Sequence, residues 1–323
     1  MTDQTTVLVL SSADDSTADA VVAELSQRSI PVVRMDLGDF PTAMTVRTEV
    51  DGDSWRGDLA ADHQRVDLAA VRSIYYRRPT RFAFPGDLSD ADRVFASEEA
   101  RLGLGGVLAT MDVLWVNNPM CVASAEYKPL QLTVAARCGL ATPATLITND
   151  HRAVIEFASA LIGPIVCKAL SPIAHSEDGD VRITFTTVVD PMTIDPDAVA
   201  VTTHLFQAWV PKDYEVRVTM VGGTAFAVAI DATSDAARVD WRSDYDALTY
   251  APTEVPELVL SGMSKYLGTL GLSYGAFDFV VKPTGEWVFL ECNPAGQWLW
   301  LERKTELPIA AAFADVLIGG RLG

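Results

Sequence analysis

Short apolar runs alternate with amphipathic segments at the start of the chain. Residues 5–10 (TTVLVL) and 31–37 (PVVRMDL) are typical of strands, and between them Val21, Val22 and Leu25 recur with helical spacing. This order predicts a β-α-β unit with parallel strands. The first turn, SSADDS, lacks the glycine fingerprint of dinucleotide-binding folds, so we place no cofactor there.

The same patterns predict elements along the rest of the chain. Residues 51–79 predict a strand pair and then a strand at Val71–Tyr76, and a helix over about Asp90–Met111 follows Ser89 as its N-cap. LWVNN predicts another strand. The remaining predicted elements are a loop, a helix from Pro129 to Gly139, a helix near Asp150–Ala160, a strand at 164–170, a polar loop at 171–180, a strand at 181–187, a strand, turn and hairpin over 204–230, a helix near Pro256–Leu270 and a hairpin over 273–293. The whole predicts an α/β part followed by an α+β part.

Length and charge limit the classes of function. The chain has 323 residues, which favours two or three subdomains, and 49% of them are hydrophobic, which is enough for a large core. Basic residues number 25 and acidic residues 43, so the net charge is −18. This balance argues against a nucleic-acid-binding protein and against docking on anionic lipid. An anionic ligand would need a local cluster of Lys, Arg or metal.

The N-terminus and the cysteines predict a cytoplasmic protein. Met1–Gln4 has no positively charged segment of a secretory signal, and no apolar run approaches the ~20 residues of a spanning helix. The four cysteines are far apart in sequence and favour free thiols over a zinc site: Cys121, Cys138, Cys167 and Cys292. None of the four histidines has metal-ligand spacing.

The last apolar segment predicts a hairpin that carries acidic residues. With Lys282–Gly285 as its loop, Asp278 lies opposite Phe289, and Glu291 is a diagonal neighbour of Asp278 on the same face, about 7–8 Å away. Asn293 shares that face. Two carboxylates and an amide oxygen suit Mg²⁺, which takes its other ligands from phosphates and water. Each acidic residue alone reads as a solvated strand end, but the three together favour a metal site with a nucleotide behind it.

Several basic residues lie at positions where phosphate binding is plausible. Lys168 lies inside an apolar strand, where a lysine is rare unless it is paired. Lys128 precedes the helix at Pro129, where free backbone N–H groups favour anions, although for this residue taken alone an exposed loop lysine is the favoured interpretation. Arg217 alternates with apolar residues and Arg242 follows RVDW. Each of these two arginines is either a structural ion pair or a clamp on a phosphoryl group.

The strand at Val71–Tyr76 ends in a pair of arginines. The segment Tyr75–Pro79 reads YYRRP, so Arg77 and Arg78 come directly after the apolar run. They meet an anionic ligand or peptide, or they are a solvated strand end. The sequence leaves both interpretations open.

Taken together, these motifs resemble a known family. A lysine before a helix, a lysine in a strand, FQAWVPKDYEVRV, and FDFVV followed by GEWVFLECNPAGQW are similar to the ATP-grasp fold. YYRRP, VPKDYEVRV, RVDWR and LECNPAGQWLWLE resemble the graspetide synthetases, the microviridin-type ATP-grasp ribosomal peptide maturases. The likeness covers nearly the whole chain. It implies an N-terminal pre-ATP-grasp α/β domain at 1–117, a central ATP-grasp subdomain at 118–205, and a C-terminal subdomain with the Mg/ATP site at 206–323.

The resemblance also implies roles for individual residues. It assigns ATP contacts to seven of them: Lys128 and Lys168 at the phosphates, Gln207, Trp209 and Val210 at the adenine hinge, and Asp213 or Glu215 at the ribose hydroxyls. It assigns Mg²⁺ to Asp278, Glu291 and Asn293. Arg217 and Arg242 would be the catalytic residues that steady the γ-phosphate and the acylphosphate.

The chain departs from the family pattern after Lys168. Many relatives have several glycines over the phosphates at this point, whereas the segment 171–180 has only Gly179. We expect a mobile lid there instead of a glycine-rich phosphate contact.

The implied reaction is an ATP-dependent ligation. Transfer of the γ-phosphoryl group to an Asp or Glu carboxylate gives an acylphosphate with a good leaving group, and a Thr or Ser hydroxyl or a Lys amine then attacks it. In the family both partners lie in one precursor peptide, so the product is a macrocyclic ester or amide. Asp213 and Glu215 are unranked candidates for a general base.

Two other functions stay open. One is a small-molecule carboxylate-amine ligase of the same fold, and the other is a non-catalytic ATP-binding module. For the favoured function the expected partners are ATP, Mg²⁺ and a precursor peptide with leader and core, with a homodimer possible and neither nucleic acid nor membrane involved. The region 170–200 is a candidate leader-binding surface by family likeness, and the net charge of −18 favours a basic or mixed-charge leader. The peptide sequence, the ring number and the choice of ester or amide are left open.

Overall fold

A computed structural model describes residues 5–62, 64–170, 174–177, 180–183 and 185–320. The first part of the chain is the predicted α/β unit. Its elements are β1 (Thr6–Ser11), α1 (Ser16–Gln27), β2 (Val32–Met35), β3 (Met44–Asp51), β4 (Ser54–Ala61), β5 (Gln64–Asp67), β6 (Val71–Arg77), α2 (Asp90–Ala109) and β7 (Leu114–Val116). The parallel sheet has the order β2-β1-β6-β7, and β3, β4 and β5 form an antiparallel meander. The β-α-β start, the strand from Val71 and the helix after Ser89 are confirmed, and the predicted strand pair is a three-stranded meander.

Alternation along β1 packs both faces of the parallel sheet. Val7 and Val9 belong to a core with α1, and Leu8 and Leu10 belong to a core with α2. All four side chains are fully buried. This burial on both faces explains why the strand reads as a continuous apolar run.

The middle of the chain forms a small antiparallel sheet. Its elements are α3 (Pro119–Ala125), α4 (Lys128–Arg137), β8 (Thr145–Thr148), α5 (His151–Ser159), β9 (Ile165–Lys168), β10 (Ala174–Glu177), β11 (Asp180–Ile183), β12 (Thr187–Val189), α6 (Pro196–Ala200) and β13 (His204–Ala208). The sheet order is β12-β9-β13-β8, and β10 and β11 pair as a separate hairpin. The sequence interpretation missed α3, β8 and α6. It also predicted a loop at 171–180, part of which is β10; Gly179 lies outside the described residues.

The last part of the chain is the predicted α+β unit. Its elements are β14 (Tyr214–Val221), β15 (Thr224–Ala232), α7 (Asp235–Val239), β16 (Leu248–Thr253), α8 (Glu257–Leu270), β17 (Tyr274–Val281), β18 (Trp287–Asn293), α9 (Leu299–Thr305) and α10 (Ile309–Gly319). The antiparallel sheet has the order β16-β15-β14-β17-β18. Short 3₁₀ turns occur at Leu37–Asp39, Leu68–Ala70, Trp241–Ser243 and Tyr245–Ala247.

The two faces of the last sheet differ in character. On one face, Val216, Phe277 and Phe279 pack in a core with α4 and α8. On the other face, Ala276 joins the core around α1 and α10, whereas Asp278, two residues further along β17, is a buried acidic residue. A strand that changes from apolar to charged on one face therefore places polar groups above a rigid base.

The C-terminal helix connects the two ends of the chain. The α10 helix contacts α1, β6 and β14, so the first and last units share one apolar core. Trp298 is fully buried in this core and stacks on Phe313 at 4.9 Å between ring centroids. No helix in the described part of the chain is long and apolar enough to cross a membrane.

Candidate active site

Asp278 and Glu291 are direct cross-strand neighbours. The β17–β18 pair is regular from Val281 to Phe279, which lies opposite Phe289, but Asp278 then pairs with Glu291. The predicted register, with Asp278 opposite Phe289, is therefore wrong, because the hairpin loop is one residue longer and a β-bulge follows Phe289. The bulge moves the two carboxylates closer than the predicted diagonal arrangement.

Glu291 is held by basic residues from other elements. Lys128 Nζ donates a hydrogen bond to Glu291 Oε2, and Arg242 Nη1 lies 3.6 Å from Glu291 Oε1. Burial alone would raise the pKa of Glu291, but the positive charges of Lys128, Arg242 and Lys168 outweigh it and hold the pKa below the ordinary value. Glu291 is therefore ionised in a site where its charge is balanced by three cations.

Asp278 has a different environment. Arg217 Nη1 donates a hydrogen bond of 2.6 Å to Asp278 Oδ2, and both side chains are buried. Burial raises the pKa of Asp278, and the negative charge of Glu291 raises it further, although Arg217 opposes both. Arg217 Nε is buried without a hydrogen-bond partner among the described residues. The Arg217 guanidinium thus keeps donor capacity for a ligand.

Asn293 completes the predicted oxygen set. It lies at the end of β18 opposite Ala276, and its Nδ2 is 3.5 Å from Glu291 Oε1. No group of three or more His, Cys, Asp or Glu side chains suited to a metal occurs in the described part of the chain. The set of Asp278, Glu291 and Asn293 supplies two carboxylates and one amide, which fits Mg²⁺ provided that phosphates and water supply the other ligands.

Lys128 and Lys168 reach the same site from two sides. Lys128 is the first residue of α4 and not, as predicted, the residue before the helix, so its backbone N–H is one of the free groups at the helix N-terminus. Lys168 ends β9, where its Nζ is 3.4 Å from Gln207 Oε1. Burial lowers the pKa of Lys168, and Lys128 and Arg242 add to this effect. An anion placed between these two lysines would relieve their mutual repulsion.

A narrow pocket lies between the central sheet (β12-β9-β13-β8) and the last sheet (β16-β15-β14-β17-β18). Trp209 and Val210, just after β13, and Glu215, on β14, line it together with Gln207, whose Nε2 donates to Thr145 Oγ1 at 3.0 Å. Its free volume is about 50 Å³. The predicted hinge residues therefore lie together.

Lys212 also lines this pocket, and the sequence analysis did not identify it as a site residue. Its Nζ donates a hydrogen bond to Glu215 Oε1 and lies 5.1 Å from the Trp209 ring centroid. Lys212 is part of the quoted VPKDYEVRV motif, so the signal was present in the sequence. Asp213, the alternative to Glu215 at the ribose, is exposed and outside the pocket lining. Entry of a nucleotide requires the Lys212 side chain to move.

Arg242 is fixed by Asp240. The Arg242 Nε and Nη2 atoms donate to the two carboxylate oxygens of Asp240 at 2.8 and 3.0 Å. Asp240 also accepts from the backbone N–H of Thr186 at 3.0 Å. This bidentate pair leaves Arg242 Nη1 directed at Glu291, and it is a further contribution of RVDWR that the sequence did not reveal.

A second, larger cavity of about 1170 Å³ adjoins the narrow pocket. The two share five lining residues: Lys168, Thr186, Trp241, Arg242 and Glu291. The lining of the large cavity includes two arginines, Arg78 and Arg217, and two tryptophans, Trp241 and Trp300, whose ring centroids are 5.5 Å apart. Of the paired arginines of YYRRP, Arg77 is buried and is therefore not part of a solvated strand end, whereas Arg78 is exposed and lines the large cavity.

The comparisons with known proteins agree with this geometry. Residues 6–123 match the family model of the MvdD pre-ATP grasp domain. No match was found among curated proteins.

Three of the solved structures that are similar to this protein align with almost the whole chain. A RiPP-associated ATP-grasp ligase of Chryseobacterium gregarium, in complex with ADP and a leader and core peptide, is 27% identical with a TM-score of 0.89 over 97% of this chain and 96% of its own. The macrocyclase MdnC of Microcystis aeruginosa MRC, bound with the precursor peptide MdnA, is 28% identical with a TM-score of 0.83 over 97% of this chain and 99% of its own. The ATP-grasp ligase PsnB, complexed with a phosphomimetic minimal precursor, Mg and ADP, is 22% identical with a TM-score of 0.76 over 99% of both chains, and this likeness shows the fold alone.

Proposed function

We propose that this chain, which belongs to the ATP-grasp ligases of ribosomal peptide maturation, uses ATP to join side chains of a precursor peptide into ester or amide macrocycles. The observation that carries the proposal is the junction at Glu291 of two cavities. One is a narrow pocket of about 50 Å³ that is lined by the predicted nucleotide contacts and must widen to hold a nucleotide, and the other, of about 1170 Å³, has room for a peptide. The Chryseobacterium gregarium ligase is in complex with ADP and a leader and core peptide, and MdnC is bound with its precursor peptide. We extend both ligand classes to this chain.

The nucleotide would lie in the narrow pocket between the central sheet and the last sheet. Trp209 and Val210 would face the adenine, and Glu215 would accept the ribose hydroxyls once Lys212 has moved. Lys128 and Lys168 would neutralise the phosphates. Asp278, Glu291 and Asn293 would hold Mg²⁺, which when bound would supply positive charge that offsets the charge of the phosphates.

The peptide carboxylate would enter from the large cavity. An Asp or Glu oxygen attacks the γ-phosphorus, the bond from that phosphorus to the β–γ bridging oxygen breaks, and ADP leaves. The hydroxyl or amine of a second peptide side chain then attacks the acyl carbon, its proton is lost, and phosphate leaves. Arg217, with its free Nε, and Arg242, aimed by Asp240, would stabilise the negative charge of both steps. We assign no general base.

The peptide substrate is favoured over a small molecule by the size of the cavity. Pockets for small ligands occupy about 300–1,000 Å³. The cavity of about 1170 Å³ exceeds this range, although it would also receive the nucleotide phosphates at Lys128 and the metal at Asn293. A cytoplasmic location, a homodimer and leader binding near 170–200 stay predictions.

The test is incubation of the protein with the precursor peptide encoded beside its gene, ATP and Mg²⁺, followed by mass spectrometry. Loss of one water per crosslink, together with release of ADP, is expected. An unchanged peptide mass with ADP released on addition of small acids and amines would favour the small-molecule ligase. Binding of ATP with neither reaction would favour the non-catalytic module.

A further inference from the structure

The loop that follows the metal-site strand is held by the first domain. Arg77, at the end of β6, is 2% exposed, and its Nε lies 3.1 Å from Asp15 Oδ2 at the start of α1. Arg77 Nη1 donates to the carbonyl of Gly296 at 3.2 Å, and Nη2 donates to Gln297 Oε1 at 2.5 Å. Thr17 Oγ1 donates to the same Gln297 oxygen at 3.0 Å. A buried guanidinium thus joins YYRRP to NPAGQW, two motifs 219 residues apart.

Three further side chains hold the backbone of the same loop. Asn117 Nδ2 donates to the carbonyl of Pro294 at 2.7 Å, and Arg78 Nη2 donates to that of Ala295 at 3.2 Å. The hydroxyl of Tyr274 donates to the carbonyl of Gly296 at 2.7 Å. Three successive carbonyls therefore bond to side chains, which defines the position of each residue in the loop.

The opposite side of the loop lies against the site. A Cβ atom at Gly296 would be 2.9 Å from Arg217 Nη2, 2.7 Å from Ala276 Cβ and 3.1 Å from Asn293 Cβ. The loop is thus packed directly behind the arginine and the amide that face the ligand. A small displacement of the loop would move both groups, and a displacement of about 1 Å can cost a catalyst ~100-fold in rate.

We propose that Arg77 is a positioning residue of the ligase site, acting through Gly296 and Gln297 to fix the orientation of Asn293 and Arg217. The proposal rests on the proposed function for the chemistry, but the loop contacts stand independently of it. Arg77 does not itself line the cavity, so its effect passes through the loop.

An arginine is required because the acceptors lie in different directions. Arg77 bonds to a carboxylate, a backbone carbonyl and a side-chain amide with three different nitrogens. The planar fork of a guanidinium reaches all three at once, whereas a lysine ammonium keeps the charge but not this geometry. Arg77→Lys therefore preserves the partner of Asp15 while loosening the loop.

The test compares Arg77→Lys and Gln297→Ala with Arg34→Lys. Arg34 is a matched control, because it also lies in the first domain and bonds through several nitrogens, to Ser11, Ser12, Ala13, Asp19 and the backbone carbonyl of Asp15. It therefore shares Asp15 as a partner with Arg77, which bonds to the Asp15 side chain, but it has no bond to the loop in the described part of the chain. Three quantities are measured: hydrogen exchange of the 293–298 backbone, kcat for ADP formation with the precursor, and the Mg²⁺ concentration at half-maximal rate.

Both loop variants are expected to exchange faster at 293–298, to lose at least about tenfold in kcat and to need more Mg²⁺, while the control keeps wild-type values. If either folded variant shows unchanged exchange in the loop, or lower thermal stability with unchanged kcat and Mg²⁺ requirement, the proposal is overturned. Should Arg77→Lys fail to fold, Gln297→Ala decides, since it removes no charge. Faster exchange with no ligation by the wild-type protein would instead refute the proposed function.

Discussion

Asp278 and Glu291 pair across β17 and β18 only because Leu290 has no partner in the strand opposite. A regular continuation from the Phe279–Phe289 pair would place Asp278 opposite Leu290 and would place Glu291 opposite Phe277. Since Phe277 points into the apolar core beneath the sheet, Glu291 would then point there too. Asp278 faces the ligand side in either register, because it alternates with Phe277 and Phe279, and the bulge brings Glu291 to the same side.

Glu291→Gln is the most direct test of this pair. The change should lower Mg²⁺-dependent ADP formation at least about 100-fold, the upper range for residues that only support a metal ligand. It also leaves Lys128 without its anionic partner, although Arg242 keeps Asp240, so the free energy of unfolding without nucleotide should fall by about 3 kcal/mol. Glu286→Gln, on the exposed end of the same hairpin and paired with Lys282, is the control for both measurements. Near-normal turnover in Glu291→Gln would refute the metal assignment.

Arg78→Ala tests whether an arginine that lines the large cavity binds the precursor peptide. Arg78 lines this cavity and not the nucleotide pocket, so its loss should raise KM for the precursor peptide about tenfold and leave the affinity for ATP unchanged. Steady-state kinetics and nucleotide binding are measured on the same preparation. Arg81→Ala removes an exposed arginine three residues away and should change neither quantity. A rise in the dissociation constant for ATP would show that Arg78 serves the nucleotide instead.

Gly296→Ala tests the close approach of the loop to Arg217. The added Cβ would lie 2.7 Å from Ala276 Cβ, which real atoms do not tolerate, so the loop must move. We expect a loss of at least about tenfold in kcat with a melting temperature that falls by a few degrees. Gly223→Ala is matched to it, because a Cβ there has no atom within 4 Å. Equal kinetics for the two variants would count against a role for the loop.

The sequence predicted those parts of the site that depend on local pattern. Alternation along an apolar hairpin predicted Asp278, Glu291 and Asn293 on one face, but the agreement depends on two errors that offset each other: the predicted loop was one residue too short and the bulge was missed. The bulge was not predictable, because β18 bonds to a residue outside the hairpin: the Phe289 N–H donates to the Ala141 carbonyl at 2.8 Å. A pattern of side chains contains no information about such a partner.

Long-range pairs were also missed, for a related reason. YYRRP predicted two arginines of the same kind, yet Arg77 is buried against Gln297 and Arg78 lines the cavity. A metal and a nucleotide stay predictions as partners of Glu291, and the sequence analysis missed its ion pairs with Lys128 and Arg242. Charges that bind a ligand also neutralise one another without it, because a buried carboxylate requires a partner in either state.

The lowered pKa of Lys168 predicts an unusual pH dependence of nucleotide binding. Phosphate favours the charged ammonium, whereas burial favours the neutral amine, so affinity for ADP should fall as pH rises through a pKa below the ordinary 10.5. The stability of the protein without nucleotide depends on pH in the opposite direction. The contribution of Lys168 is fully present above 10.5 and is lost as pH falls through the lowered pKa, because the buried amine must then be charged.

Lys168→Arg separates this effect from other titrations. Arginine stays charged throughout, so the variant should bind ADP with an affinity that changes much less between about pH 7 and 10. Calorimetry in buffers of different ionisation enthalpy provides a second measurement: above the lowered pKa, the wild-type protein should take up a proton on binding ADP, and the variant should not. Parallel pH profiles for the two proteins would mean that Lys168 does not carry the phosphate charge, and Lys128 alone would then remain as the lysine for that role.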